Sequence, residues 1–132
     1  MSDYTKVNIR EVEDLAPKFG YAPDLSARFA TGDLGLTESG VSLQALAANT
    51  RAPFGHYEAE QEELYVVVRG GGRMKIEDEV IELRQWDAVR VGAGLTRQPE
   101  AGPEGLELLA FGAPRTGEQS NRAEMVKDWW TD

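Results

Sequence analysis

The chain has 132 residues, enough for one domain with a buried core. Its 41% hydrophobic and 28% charged residues are ordinary for a globular protein, and the formal net charge of −9 keeps it soluble while repelling nucleic acid phosphates and anionic membranes. The absence of cysteine and the single histidine exclude disulfides, thiolate metal sites, multi-histidine metal sites and a histidine acid–base pair.

Met1 to Lys6 lacks the basic start and apolar stretch of a secretory signal, and no apolar run approaches the roughly 20 residues of a membrane helix. A cytoplasmic protein is the expectation. From Val7 to Phe19, Ile9, Val12, Leu15 and Phe19 recur at helical spacing, which predicts a short amphipathic helix broken near Pro17. From about Leu25 the texture changes. Val41 to Ala47 alternates as a strand does, and Leu64-Tyr65-Val66-Val67-Val68 is continuously apolar, as in a strand buried on both faces. Met74 to Ile76, Val80 to Leu83, Ala88 to Val91 and Leu106 to Phe111 follow as further strands. Turns are expected at Gly70-Gly71-Gly72, Glu77-Asp78-Glu79, Gly92-Ala93-Gly94 and Glu100-Ala101-Gly102-Pro103. The glycine triplet has no following helix pattern or lysine, so a phosphate loop is not expected there. Many short strands with regular turn signals predict one all-β domain, a sandwich or barrel. The segment from Pro114 to Arg122 is polar and expected to be loose, and Trp129 and Trp130 beyond it are expected to pack the tail onto the barrel or a second subunit.

The stretch from His56 to Gly70 reads His-Tyr-Glu-Ala-Glu-Gln-Glu-Glu-Leu-Tyr-Val-Val-Val-Arg-Gly. It resembles the first cupin motif: a histidine, one residue, a second histidine, three or four residues, a glutamate, six residues and a glycine. Trp86 to Arg97 resembles the second motif with several substitutions, and the hairpin from Arg73 to Gln85 has a suitable length between them. The resemblance is to small stand-alone bacterial cupins of unassigned function. It implies a double-stranded β-helix, the jelly-roll cupin barrel, spanning residues 1–132 as one domain. The cupin core would run from about 41 to 111, after an N-terminal flank of residues 1–40 and before a C-terminal tail of residues 112–132. A homodimer with an internal pocket is the further implication. Trp86 stands where the family has a glycine and is expected to cap one barrel end.

In metal-binding cupins three histidines and one glutamate converge inside the barrel. Carried over position by position, His56 matches the first histidine and Glu63 the glutamate, while Glu58 and Arg97 stand where the other two histidines would be. Alternation along a strand would point His56 and Glu58 to one side, and Glu63, Tyr65 and Val67 would share a face on the next strand. Arginine cannot ligate a metal, but its planar fork suits carboxylates. Arg97 is therefore expected to occupy the space of the missing ion, close to Glu58 and Glu63, and to offer a handle for an anionic ligand. This reading gives a metal-free barrel with His56, Glu58, Glu63, Tyr65 and Arg97 lining a pocket for a small molecule, carboxylate or sugar-like. No cofactor is favoured and no nucleic acid or membrane partner is expected. The alternatives are a cupin oxygenase, isomerase or epimerase holding manganese, iron, zinc or nickel on His56, Glu58 and Glu63, and a structural or interaction module whose pocket is filled by side chains.

Overall fold

A computed structural model describes residues 3–112 and 123–132. Eight strands dominate it: β1 (Leu25–Phe29), β2 (Gly40–Leu46), β3 (Gly55–Glu58), β4 (Glu63–Ile76), β5 (Glu79–Leu83), β6 (Ala88–Val91), β7 (Arg97–Gly112) and β8 (Ala123–Val126). All pairings between them are antiparallel. One path runs β1-β2-β7-β3-β8, and β4 joins β7 while also pairing with β5 and β6. The two long strands curl the sheet into an all-β jelly-roll barrel. Their pairing shifts register between Val67 and Arg69 and again between Gly70 and Gly72, and such bulges bend the strands that carry them.

The core is the inner face of this sheet. Tyr65, Val67, Met74, Val91, Leu106, Leu108 and Ala110 are buried there, each large apolar side chain contributing roughly 1.5–3 kcal/mol by leaving water. The run from Leu64 to Val68 is not buried on both faces. Tyr65 and Val67 point inward, whereas Leu64 is 38% exposed. An antiparallel sheet closed on one core leaves its outer face partly wet, and the outward residues here happen to be apolar.

Two expected turns are strand instead. Gly70 to Gly72 lie inside β4, and Glu100 to Pro103 lie inside β7. The glycines are required by the neighbouring strand β7: a Cβ on Gly70 would sit 2.1 Å from the Gly105 carbonyl oxygen, and one on Gly72 would sit 2.0 Å from that of Glu100. The other expected turns fall between strands, with Glu77 leading β4 into β5 and Gly92 to Gly94 leaving β6.

The predicted N-terminal helix is two short 3-10 turns, Ile9–Glu11 and Ala16–Phe19. Between them the Asp14 carboxylate accepts the amides of Ala16 and Ala27, at 3.0 and 2.9 Å, which ties the segment to β1. A side chain bonding backbone amides in this way competes with a continuous helix, and Pro17 cannot donate within one. The resemblance covers residues 41–111, and the sheet extends beyond them on both sides, from Leu25 to Val126. Trp86 does not cap the barrel: it is 69% exposed in a turn, with φ 75°. Trp130 is buried on the barrel, its ring 3.9 Å from the Arg51 guanidinium. The segment from Pro114 to Arg122, expected to be loose, lies outside the described residues.

Candidate functional site

β3, β4 and β7 bring all five expected residues together. His56 pairs directly with Arg97 across β3 and β7, and cross-strand partners project from the same face. Glu63 and Tyr65 share the inner face of β4, two residues apart. Arg97 is 0% exposed. Its Nη2 donates to Glu63 Oε1 at 2.6 Å, its Nε to the Tyr65 hydroxyl at 3.0 Å and its Nη1 to the Leu95 carbonyl at 2.8 Å. The Tyr65 hydroxyl donates a hydrogen bond to Glu63 Oε1 at 2.5 Å. Arginine, tyrosine and glutamate thus form a closed ring of hydrogen bonds.

Beside this ring, His56 Nε2 lies 3.4 Å from Glu58 Oε2 and 3.4 Å from Glu63 Oε1. Gln61 donates to the other Glu58 oxygen at 3.2 Å. The expectation that Arg97 pairs with both carboxylates is corrected: its bonds go to Glu63, and Glu58 is taken by His56 and Gln61. Arg97 faces His56 directly in the β3–β7 register, and Glu58 lies two residues further along β3. Glu60 and Glu62 are exposed in the connection between β3 and β4.

The electrostatics follow from this packing. Burial works to raise the Glu63 pKa, but hydrogen bonds from His56, Tyr65 and Arg97 prevail and pull it down to about 2. Glu58 is lowered chiefly by its hydrogen bond with His56. Burial would lower the His56 pKa, yet the two carboxylates outweigh it and the imidazole is raised above its ordinary value. Burial, helped by the Glu63 charge, pushes Tyr65 well above the usual phenol range. With His56 protonated, its charge and that of Arg97 offset the two carboxylates.

A cavity of about 60 Å³ opens against this group. Of the five expected residues, His56 and Tyr65 reach its wall, while Glu58, Glu63 and Arg97 stand behind them. The remaining wall is largely apolar, including Leu25, Leu46, Phe54, Leu106 and Leu108, with Gln44 as a further polar member. Sequence reasoning missed Gln44, although its alternation with Leu46 along β2 put it on the inner face. It also missed Phe54, which sits in the connection before β3 and carries no strand signal.

His56, Glu58 and Glu63 offer three ligand atoms within 4.8 Å of one another, so by type and spacing they could hold a divalent ion. The donor set is nonetheless encumbered. Glu63 Oε1, the oxygen nearest His56, already accepts from a guanidinium and a phenol.

These features define a class: an antiparallel β-barrel with a polar cluster buried at one side of an internal cavity. No known protein-family model and no curated protein sequence matches the chain. Solved structures do. A cupin protein from Bacteroides fragilis is 23% identical, with a TM-score of 0.70 over 92% of this chain and 97% of that one. A cupin-2 domain from Rhodospirillum rubrum is 12% identical, with a TM-score of 0.65 over 80% of this chain and 67% of that one. The salicylate 1,2-dioxygenase of Pseudaminobacter salicylatoxidans is 20% identical, with a TM-score of 0.62 over 74% of this chain but only 30% of the enzyme. The chain is a small cupin-fold domain.

Proposed function

We propose that this barrel binds a small molecule without a metal ion, the metal position being taken over by the Arg97 guanidinium. The observation that carries this reading is the fully buried Arg97, bonded at 2.6 Å to Glu63 Oε1, the Glu63 oxygen that faces His56. Bringing a divalent cation to that oxygen would require displacing a guanidinium already desolvated and hydrogen-bonded, and the two positive charges would repel. Arg97 is then not the handle for an anionic ligand: its hydrogen bonds run to Glu63, Tyr65 and the Leu95 carbonyl, and it is absent from the cavity wall. The ligand meets His56 and Tyr65 at one end and leucine, proline and phenylalanine elsewhere. Such a wall suits a compact, mostly apolar molecule with one hydrogen-bonding end better than a sugar.

The second reading is a metal-dependent enzyme. It is supported by the convergence of His56, Glu58 and Glu63 and by a fold neighbour that is a dioxygenase. Those three residues would hold the ion, which would supply Lewis acidity.

A thermal-shift screen separates the two, because whatever binds the native state raises its melting temperature. Compact alcohols, ketones and small aromatics are expected to stabilise the protein, and filling the cavity by Leu25→Trp to abolish the effect. Stabilisation by divalent ions alone, or by sugars alone, contradicts the proposal.

A further inference from the structure

The strand that carries His56 and Glu58 is poorly anchored in the barrel itself. β3 pairs with β7 at a single position, His56 opposite Arg97. Its other edge pairs with β8 along its whole length, Gly55 with Val126 through Glu58 with Ala123. β8 is thus the main backbone partner of β3, and among the described residues no further strand lies beyond β8 in the sheet.

What holds β8 down lies just after it. Trp130 is 6% exposed, with the Arg51 guanidinium 3.9 Å and the Arg73 guanidinium 5.1 Å from its ring. Both arginines are fixed by one carboxylate: Arg51 Nε donates to Glu100 Oε2 at 2.9 Å, and Arg73 Nη2 donates to Glu100 Oε1 at 2.6 Å. Arg51 also donates to the Trp130 and Asp132 carbonyls, at 2.7 and 3.2 Å. Trp129 lies 4.7 Å below Lys75 and packs on Gly55, the first residue of β3, so closely that a Cβ there would meet its ring at 3.0 Å.

We infer that residues 123–132 are a strap that positions the site strand, with Arg51 and Trp130 as positioning residues that set His56 and Glu58 against Glu63. They act through β8 and touch none of the three. The strap serves the site whichever ligand it takes. Opening the latch releases β8, leaves β3 held by its pairing at His56 and by the Gly94 amide on the Glu58 carbonyl, and loosens His56 while the β4–β7 body of the barrel stays folded. Local opening of this kind draws on a region's own stability, separately from that of the whole domain.

The single histidine makes the test a one-site measurement. The full-length protein and its variants are treated with diethyl pyrocarbonate at one pH, and the rate of His56 carbethoxylation is followed together with amide exchange at residues 55–58. Trp130→Ala is expected to speed both by about tenfold or more, since cation–π and burial contacts are lost together, while exchange in β4 and β7 is unchanged. Leu83→Ala, a core change at the β4–β5 hairpin, is expected to lower the melting temperature and leave the His56 rate within about twofold, because distant core sites act independently. Where Trp130→Ala fails to fold, Arg51→Ala carries the same comparison with a rise in the same direction. An unchanged His56 rate in the latch variant, or an equal rise in Leu83→Ala, overturns the inference.

Discussion

Arg97→Met removes the guanidinium but keeps an apolar side chain of similar reach. The variant loses the 2.6 Å bond to Glu63, the 3.0 Å bond to Tyr65 and the 2.8 Å bond to the Leu95 carbonyl. More important, it leaves the Glu63 carboxylate without its cation. Breaking a buried ion pair from one side costs about 3–5 kcal/mol. The Glu63 side chain retains 16% exposure, so the lower end, about 3 kcal/mol, is expected. For a chain of this size that lowers the melting temperature by roughly 10 °C. Urea unfolding followed by tryptophan fluorescence gives the free energy at pH 7 and again near pH 4, and Glu63→Gln is made alone and in combination. Protonated Glu63 needs no cation, so the deficit should shrink at the lower pH. The double variant should be less destabilised than the sum of its parts. A deficit below about 1 kcal/mol, typical of a surface pair, or one that is the same at both pH values, would refute the idea that a desolvated pair is at stake.

The same cluster predicts the shape of the stability–pH curve. Glu63 drops from 4.5 to about 2 on folding, so its contribution, about 3 kcal/mol by linkage, is complete above pH 4.5 and is lost as the pH falls toward 2. His56 is raised from 6.5, so its contribution is complete below that value and is lost as the pH rises through its folded pKa. Stability from the cluster should therefore peak between about pH 4.5 and 6.5, and His56→Gln should flatten the alkaline limb in urea titrations and also shrink the acid one, because His56 helps to hold Glu58 and Glu63 below their ordinary values. Trp86→Gly should raise stability by up to about 1 kcal/mol, because a bulky exposed residue is held at φ 75° where glycine costs little; a loss instead would mean that the indole makes contacts worth more than its backbone strain.

Much of the site could be read from the chain. His56 and Glu58 are two apart, and Glu63 and Tyr65 are two apart, so strand alternation put each pair on a common face. The motif frame brought Arg97 into the cluster near the carboxylates, but its pairing opposite His56 is seen only in the β3–β7 register. What did not follow was the choice of partner, because Arg97 near two carboxylates is compatible with either until the register is known. The glycines misled for a similar reason. Gly70 and Gly72 look like punctuation locally, yet they are set by carbonyls of Gly105 and Glu100 some thirty residues away. β1 carried a period-two signal in Leu25, Ala27 and Phe29, diluted by Ser26 and Arg28, and β8 is only four residues long. Packing of the tail by Trp129 and Trp130 was legible, but not the partners that hold Trp130, since they join Arg51, Arg73 and Glu100 from separate parts of the chain.

The central claim is that an internal arginine replaces the metal. It is tested most directly by titrating the purified protein with manganese, iron, zinc and nickel by calorimetry near pH 7, beside the variant Arg97→His. The native chain is expected to show no saturable binding at micromolar ion, whereas Arg97→His, which removes the buried cation and adds an imidazole beside His56, Glu58 and Glu63, is expected to gain a site of about one ion per chain. Stoichiometric micromolar binding by the native chain, weakened by His56→Ala, would contradict the account.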